Sequence, residues 1–312
     1  MKIVIPDDYP AVMAPSRAYQ ALLSRAEVEY HGDLPGSTER LIERIGHAEI
    51  IINIRSSSKF TATVIDACPN LRLLSLWGTG TDNVDLAAAA RRGVIVTNTP
   101  GVAAVAIGEH CLALALAVAR RIPVIDGEMR QGSWPRGGVV QLHGKTLGII
   151  GLGAIGRQFA RIAAGIGMRV IAWTMHPNPA LGFELVPLDT LLETSDVVSL
   201  HLRLSDETRG LLGADQFARM KPSAIFINTA RGPIVDEAAM MEALSAKRIA
   251  GAGLDVFDRE PLPNGHPVTK LNNVVLTPHS AGVTPETVEA GLHLSIENVW
   301  NYLSGNATNV VS

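Results

Sequence analysis

The chain has 312 residues, 47% hydrophobic and 18% charged, with a formal net charge of −3. This is the balance of a water-soluble chain long enough for two domains, and it holds no basic excess for nucleic acid. The longest apolar run, Cys111 to Ala119, is far too short to span a bilayer, and the start, MKIVIPDDYP, goes straight into a strand without a signal-peptide layout. Cys68 and Cys111 are the only cysteines. They lie in apolar stretches without metal-ligand spacing, which predicts buried reduced thiols, a cytoplasmic protein and no metal site.

In chain order, Lys2 to Ile5 reads as a strand, Ser16 to Leu23 as a helix and Val28 to Tyr30 as a strand. Helix (Thr38 to Ile45), strand (Glu49 to Ile54), helix (Thr61 to Ala67), strand (Leu73 to Leu76), helix (Leu86 to Arg92) and strand (Val94 to Thr97) follow, an alternation that predicts a small α/β unit. Two loops at strand ends stand out, Arg55-Ser56-Ser57-Ser58 and Trp77-Gly78-Thr79-Gly80-Thr81-Asp82-Asn83. Glycines so spaced expose backbone N–H groups that suit a small anion such as a carboxylate, with Arg55 beside them; plain connecting turns are the other reading.

Asn98-Thr99-Pro100-Gly101 breaks the pattern and reads as the first crossover between domains. Val102 to Ala119 is an almost uniformly apolar helix, which predicts burial on all sides. It carries Glu109 and His110, which as helix neighbours point in different directions and are read as structural. Arg120 to His143 reads as an irregular arm whose Trp134 suits a subunit contact.

Lys145 to Ala164 is the organising stretch. A short apolar strand, Leu147 to Ile150, runs into GLGAIG (Gly151, Leu152, Gly153, Ala154, Ile155, Gly156), and apolar residues then recur at helical spacing at Ile155, Phe159, Ile162 and Ala163. The first glycine permits the turn, the second lets backbone approach a pyrophosphate and the third lets helix pack on strand, while the helix N-terminus offers N–H groups to phosphate. Strand, turn and helix together predict a dinucleotide site.

Further apolar runs follow at Arg169 to Trp173, Asp196 to Leu200, Ser223 to Ile227, Ala250 to Leu254 and Asn273 to Leu276, as strands of a buried parallel sheet require. They end at Thr174, His201, Asn228-Thr229-Ala230-Arg231, Asp255 and Thr277-Pro278-His279. Ligands of such sheets sit beyond the carboxyl ends of the strands, so these scattered residues converge on one crevice. A nicotinamide there supplies hydride, leaving the protein to polarise a carbonyl and move one proton. Arg231 offers a charged planar fork for a carboxylate and its neighbouring carbonyl, and His279 is the natural proton donor. A carboxylate on the other ring nitrogen would favour imidazolium; Glu260 is the candidate, with Asp258 in the same loop competing. His201 is read as shaping its loop or touching adenosine.

These motifs, GTGTDNVD (Gly78 to Asp85), GLGAIG, NTARGPIVDE (Asn228 to Glu237), LDVFDREPLP (Leu254 to Pro263) and TPHSAG (Thr277 to Gly282), resemble those of the D-isomer-specific 2-hydroxyacid dehydrogenases. That family includes glyoxylate/hydroxypyruvate reductases and lactate, glycerate and phosphoglycerate dehydrogenases. The resemblance implies an α/β chain of two Rossmann-like doubly wound domains, with a cofactor domain (99–284) inserted into a flavodoxin-like substrate domain (1–98 plus 285–312). It implies Arg231 on the substrate carboxylate and carbonyl, Glu260 paired with His279, and His279 as acid/base. Asp255 would meet the nicotinamide carboxamide, the Trp77, Gly78, Thr79 and Gly80 backbone the substrate carboxylate, and Thr229, Ala230, His279, Ala281 and Gly282 the cofactor. The implied partners are a small 2-keto or 2-hydroxy acid and a second copy of the chain, with no nucleic acid or membrane. Relatives that oxidise formate or phosphite, and cofactor-sensing binding proteins of the same fold, are the alternatives. Glu260 argues against the formate type, which carries glutamine there.

The chain also departs from the family. Ala103 and Ala106 stand where asparagine and serine are common, which makes a keto acid with an apolar tail the expectation. Trp77, where smaller residues are common, either fills part of the substrate pocket or packs behind it. An acidic residue about 20 positions beyond the glycines ordinarily binds the ribose diol of NAD. None occurs between Gly156 and Glu184. The expectation is therefore NAD(H) or NADP(H), with NADP favoured, Thr174 and His176 hydrogen-bonding a 2′-phosphate and Arg203 supplying charge.

Overall fold

The computed structural model describes residues 1–311. The chain forms two compact units, one made of Met1–Ala103 together with the residues from Val283 on, the other of Ala104–Gly282. These limits differ by a few residues from the expected breaks at 98/99 and 284/285.

In the first unit, β1 (Ile3–Ile5), α1 (Arg17–Leu23), β2 (Val28–Tyr30), α2 (Thr38–Ile45), β3 (Ile50–Asn53), α3 (Ala62–Asp66), β4 (Leu73–Leu76), α4 (Leu86–Arg91) and β5 (Ile95–Thr97) follow in order. The strands form a parallel sheet in the order β2-β1-β3-β4-β5. Successive strand side chains point to opposite faces. Val4, Ile51 and Leu74 therefore meet Leu41, Ile45, Val64, Ile65, Ala88 and Ala89 of α2 to α4. Ile3, Ile5, Ile50 and Ile52 instead meet Ala18 and Leu22 of α1 and Leu292, Ile296 and Val299 of the last helix. Each fully buried aliphatic side chain of this kind contributes about 1.5–3 kcal/mol relative to exposure. Ser37 and Asp85 cap α2 and α4 by accepting the N–H of Arg40 and Ala88.

The second unit begins with α5 (Ala104–Ala119) and α6 (Ile122–Arg130), followed by β6 (Thr146–Ile150), α7 (Ala154–Gly165), β7 (Arg169–Trp173), β8 (Glu184–Leu185), α8 (Leu188–Thr194) and β9 (Val197–Leu200). Then come α9 (Ala214–Arg219), β10 (Ile225–Asn228), α10 (Glu237–Ser245), β11 (Gly251–Leu254) and β12 (Val274–Leu276), and α11 (Pro285–Leu303) returns the chain to the first unit. The parallel sheet runs β12-β11-β10-β9-β6-β7-β8. Helices α5 and α7 cover one face through Cys111, Leu114, Ala115, Phe159 and Ala163. The opposite face is covered by α8 to α10 through Leu191, Leu192, Phe217, Met240 and Leu244. Strand order reverses between β6 and β9, and ligands of doubly wound sheets gather at such a switch point.

Two expectations fail here. Part of the arm expected to be irregular is the helix α6: Pro123 sits in its first turn, where a missing N–H costs nothing. The apolar helix α5 is not buried all round, for Val105 is 55% exposed while Cys111 and Ala115 are enclosed. It packs on α7, β10, β11, β12 and α6, while Val105, Glu109 and Ala113 are exposed.

Candidate active site

At the switch point β6 is buried along Leu147–Ile150 and runs into the glycine turn. Gly151 has φ 102°, open to glycine and strained for other residues. A Cβ there would lie 2.7 Å from the His201 carbonyl oxygen, and one at Gly156 would collide with the Gly151 carbonyl. Gly153 precedes the first residue of α7 and offers no side-chain cap, and nothing lies within 4 Å of where a Gly153 Cβ would be. The first-turn N–H groups around Ala154 and Ile155 have no intrahelical acceptor, and the positive end of the helix dipole lies with them. This cradle fits the pyrophosphate of a dinucleotide.

The remaining expected cofactor residues flank this turn. Thr174, after β7, is partly buried, while His176 and Arg203 are exposed. The His201 N–H donates to the Ile150 carbonyl at 2.7 Å, its Nε2 lies 2.8 Å from Ser199 Oγ, and its ring stands edge-on to Phe159. Burial pushes the imidazole pKa down to about 3, so the ring is neutral and built into the glycine turn.

Three further strand ends of this unit bring Arg231, Glu260 and His279 together. Asn228, at the end of β10, folds the next residues over itself: its amide donates to the Arg231 carbonyl and its Oδ1 accepts the Ala230 N–H. Gly232 presses on the 257–258 backbone so closely that any Cβ would overlap it, which joins the loop of Arg231 to the loop of Glu260. Glu260 Oε1 accepts the Phe257 N–H at 3.0 Å and Oε2 meets His279 Nδ1 at 2.7 Å. The structure thus gives His279 its carboxylate from Glu260, while Asp258 is exposed. Burial alone would raise the Glu260 carboxyl. The hydrogen bonds from His279 and the Phe257 N–H, with the charges of His279 and Arg231, outweigh it and hold the group below the usual carboxylate range. With Nδ1 donating to an anion, Nε2 is the ring nitrogen left for proton exchange, on a side chain that is 38% exposed.

His279 also sits at φ 52°, a left-handed conformation that must be held in place. Asp255 holds it. The Asp255 carbonyl accepts the His279 N–H at 2.7 Å, Oδ1 accepts Ser280 N–H and the Thr277 hydroxyl, and Oδ2 accepts Ala281 N–H. Sequence reading missed this work of Asp255, because nothing in the spacing of TPHSAG shows where its backbone donors turn. Of the other expected residues, Thr229 meets Cys111 Sγ at 3.2 Å, and burial pushes that thiol up to about 12, leaving it unreactive.

In the first unit, the expected anion loop is narrower than the sequence suggested. The Trp77 N–H donates to Asn53 and the Gly78 N–H to Thr99 Oγ1 at 2.8 Å, which leaves Thr79 and Gly80 as backbone donors for a ligand. The Trp77 indole packs behind the loop, over Gly291 of α11. Arg55 stacks 5.8 Å from that ring and donates to the Pro10 carbonyl, and its Nε is buried without a partner. Sequence reading missed Asp7, fully buried, which ties β1 to β3 by accepting the N–H groups of Ile54 and Arg55. Burial raises its pKa.

Comparison with known proteins agrees with this geometry. Residues 112–281 match the family model "D-isomer specific 2-hydroxyacid dehydrogenase, NAD binding domain". Over 298 residues the chain is 39% identical to a glyoxylate reductase of Korarchaeum cryptofilum, covering 91% of this chain and 90% of that protein. It is 41% identical over 287 residues to a D-3-phosphoglycerate dehydrogenase of Archaeoglobus fulgidus, covering 88% of this chain but only 54% of that longer protein. Among solved structures, an acyclic imino acid reductase (Bsp5) in complex with NADPH and D-Arg superposes with a TM-score of 0.93 at 32% identity over the full length of both chains. The chain belongs to the D-isomer-specific 2-hydroxyacid dehydrogenase family, oxidoreductases that work on keto acid/hydroxy acid pairs with a nicotinamide cofactor.

Proposed function

We propose that this chain reduces a 2-keto acid to the D-2-hydroxy acid, with Arg231, Glu260 and His279 as its catalytic residues. The observation that carries the proposal is the 2.7 Å contact between His279 Nδ1 and Glu260 Oε2, which leaves Nε2 as the ring nitrogen available to substrate. A bound nicotinamide supplies hydride. Arg231 receives the carboxylate and leans on the neighbouring carbonyl oxygen through its planar fork. His279 Nε2 delivers the proton to that oxygen, and Glu260, held anionic, stabilises the imidazolium that gives it up. Arg55, Thr79 and Gly80 of the first unit remain candidates for binding the acid. Ala103 and Ala106, apolar where polar residues are common, support a substrate with an apolar tail.

Gly151, Gly153, Ala154, Ile155 and Gly156 hold the cofactor's phosphates in this reading, with Thr229, Ala230, Ala281 and Gly282 nearby in sequence to the catalytic residues. The absence of any acid between Gly156 and Glu184 favours NADP, with Thr174, His176 and Arg203 meeting the 2′-phosphate. The NADPH in the solved imino acid reductase supports that choice. The second copy in a homodimer would cover Ile122, Met129, Trp134, Val139 and Val140, all strongly exposed along α6 and the segment after it. Both cysteines are free and buried, which suits a reducing cytoplasm.

The test is purified protein with NADPH or NADH at matched concentration against glyoxylate, hydroxypyruvate, pyruvate, phenylpyruvate and branched-chain 2-keto acids, followed by nicotinamide absorbance. The expected result is turnover that discriminates among the acids and is faster with NADPH. Tight cofactor binding without turnover on any of them would instead favour a cofactor-gated binding protein.

A further inference from the structure

Helix α5 places two neighbouring side chains on two different strand ends of the second unit. Cys111 reaches Thr229 after β10, and His110 Nε2 reaches Thr277 Oγ1 after β12 at 3.0 Å. The direction of the second bond follows from counting protons. A threonine hydroxyl has one proton, and Thr277 gives it to Asp255 Oδ1 at 2.6 Å. Thr277 must therefore accept from His110, so His110 carries its proton on Nε2. That Nε2 also lies 3.7 Å from Asp255 Oδ1.

Asp255 is 1% exposed, and every bond that fixes its carboxylate comes from the 277–281 segment. An anion this deeply enclosed needs its full complement of donors. His110 orients one of those donors and places the edge of its own ring beside the same oxygen. From His110 the chain of contacts runs through the Thr277 hydroxyl and the Asp255 carboxylate to the N–H groups of Ser280 and Ala281, the residues that follow the left-handed His279.

We propose that His110 is a positioning residue for the reaction: its Nε2–H, acting through Thr277 and Asp255, fixes the backbone that aims His279. The proposal rests on the assignment of His279 as proton donor. A misplacement of the reacting groups by about 1 Å costs up to about 10²-fold in rate, so a positioning role is read in kcat, whereas a packing role is read in stability.

The test compares His110→Phe, which keeps a ring and removes the donor, with His110→Gln, which restores an N–H at similar reach. His110→Phe is expected to lower kcat by about tenfold with the keto-acid KM and the melting temperature close to wild type, and His110→Gln to recover most of the loss. Nitrogen-15 NMR of the wild-type protein is expected to show His110 protonated at Nε2, with the bonded proton lost to rapid exchange in Thr277→Val. Wild-type kcat in His110→Phe, an equal fall in both variants accompanied by lost stability, or an unprotonated Nε2 would each overturn the proposal. Wild-type protein inert towards every 2-keto acid would instead fault the assigned activity, and the NMR result would still decide the His110 contact.

Discussion

His279→Ala is expected to lower turnover on 2-keto acids by about 10²- to 10⁴-fold, the range that positioned acid/base groups supply. The ring is built for one proton. Its Nδ1 is committed to Glu260, its backbone to Asp255, and its Nε2 is the remaining site of exchange. Alanine removes that nitrogen without touching the glycine turn at Gly151–Gly156, so cofactor affinity should change by only a few-fold. Turnover is read by nicotinamide absorbance and affinity by quenching of protein fluorescence. Near-normal turnover would remove His279 as donor.

Glu260→Gln is expected to keep activity at acid pH and lose it progressively towards neutrality. Glutamine retains an oxygen that can accept from Nδ1 but carries no charge. The native carboxyl is held below the usual range despite its burial, so it is anionic at all working pH values and favours imidazolium. Without that charge, the alkaline limb of keto-acid reduction should move to lower pH. The same depressed pKa sets the sign for stability. Glu260 contributes above its unfolded pKa, and that contribution is lost as pH falls through the folded value. An unmoved pH profile would leave Glu260 with a structural role only.

Much of this was legible in the sequence because a parallel sheet writes itself as buried apolar runs ending in polar residues. GLGAIG announced its own turn, and Arg231, Glu260 and His279 lay in loops whose positions the strand ends dictate. What was not legible depends on contacts far apart in sequence. Residue spacing alone leaves Asp258 open beside Glu260, and it is the 2.7 Å contact of Glu260 with His279 that separates the two. The taking of the Gly78 N–H by Thr99 needed a partner 21 residues away. α6 is not legible because Pro123 reads as a breaker, although proline is tolerated in a first turn. The structural reading of His110 and Glu109 rests on the divergence of neighbours on a helix. They do diverge: Glu109 points to solvent and His110 to Thr277, so the inference about the pair said nothing against the single residue.

The most direct measurement of the assigned reaction is single-turnover reduction of a 2-keto acid larger than glyoxylate with reduced nicotinamide cofactor carrying deuterium at both C4 positions, with the product isolated and its configuration determined. Deuterium at C2 of a D-2-hydroxy acid is the expected result. Product of L configuration, or no deuterium at C2, would contradict the assignment.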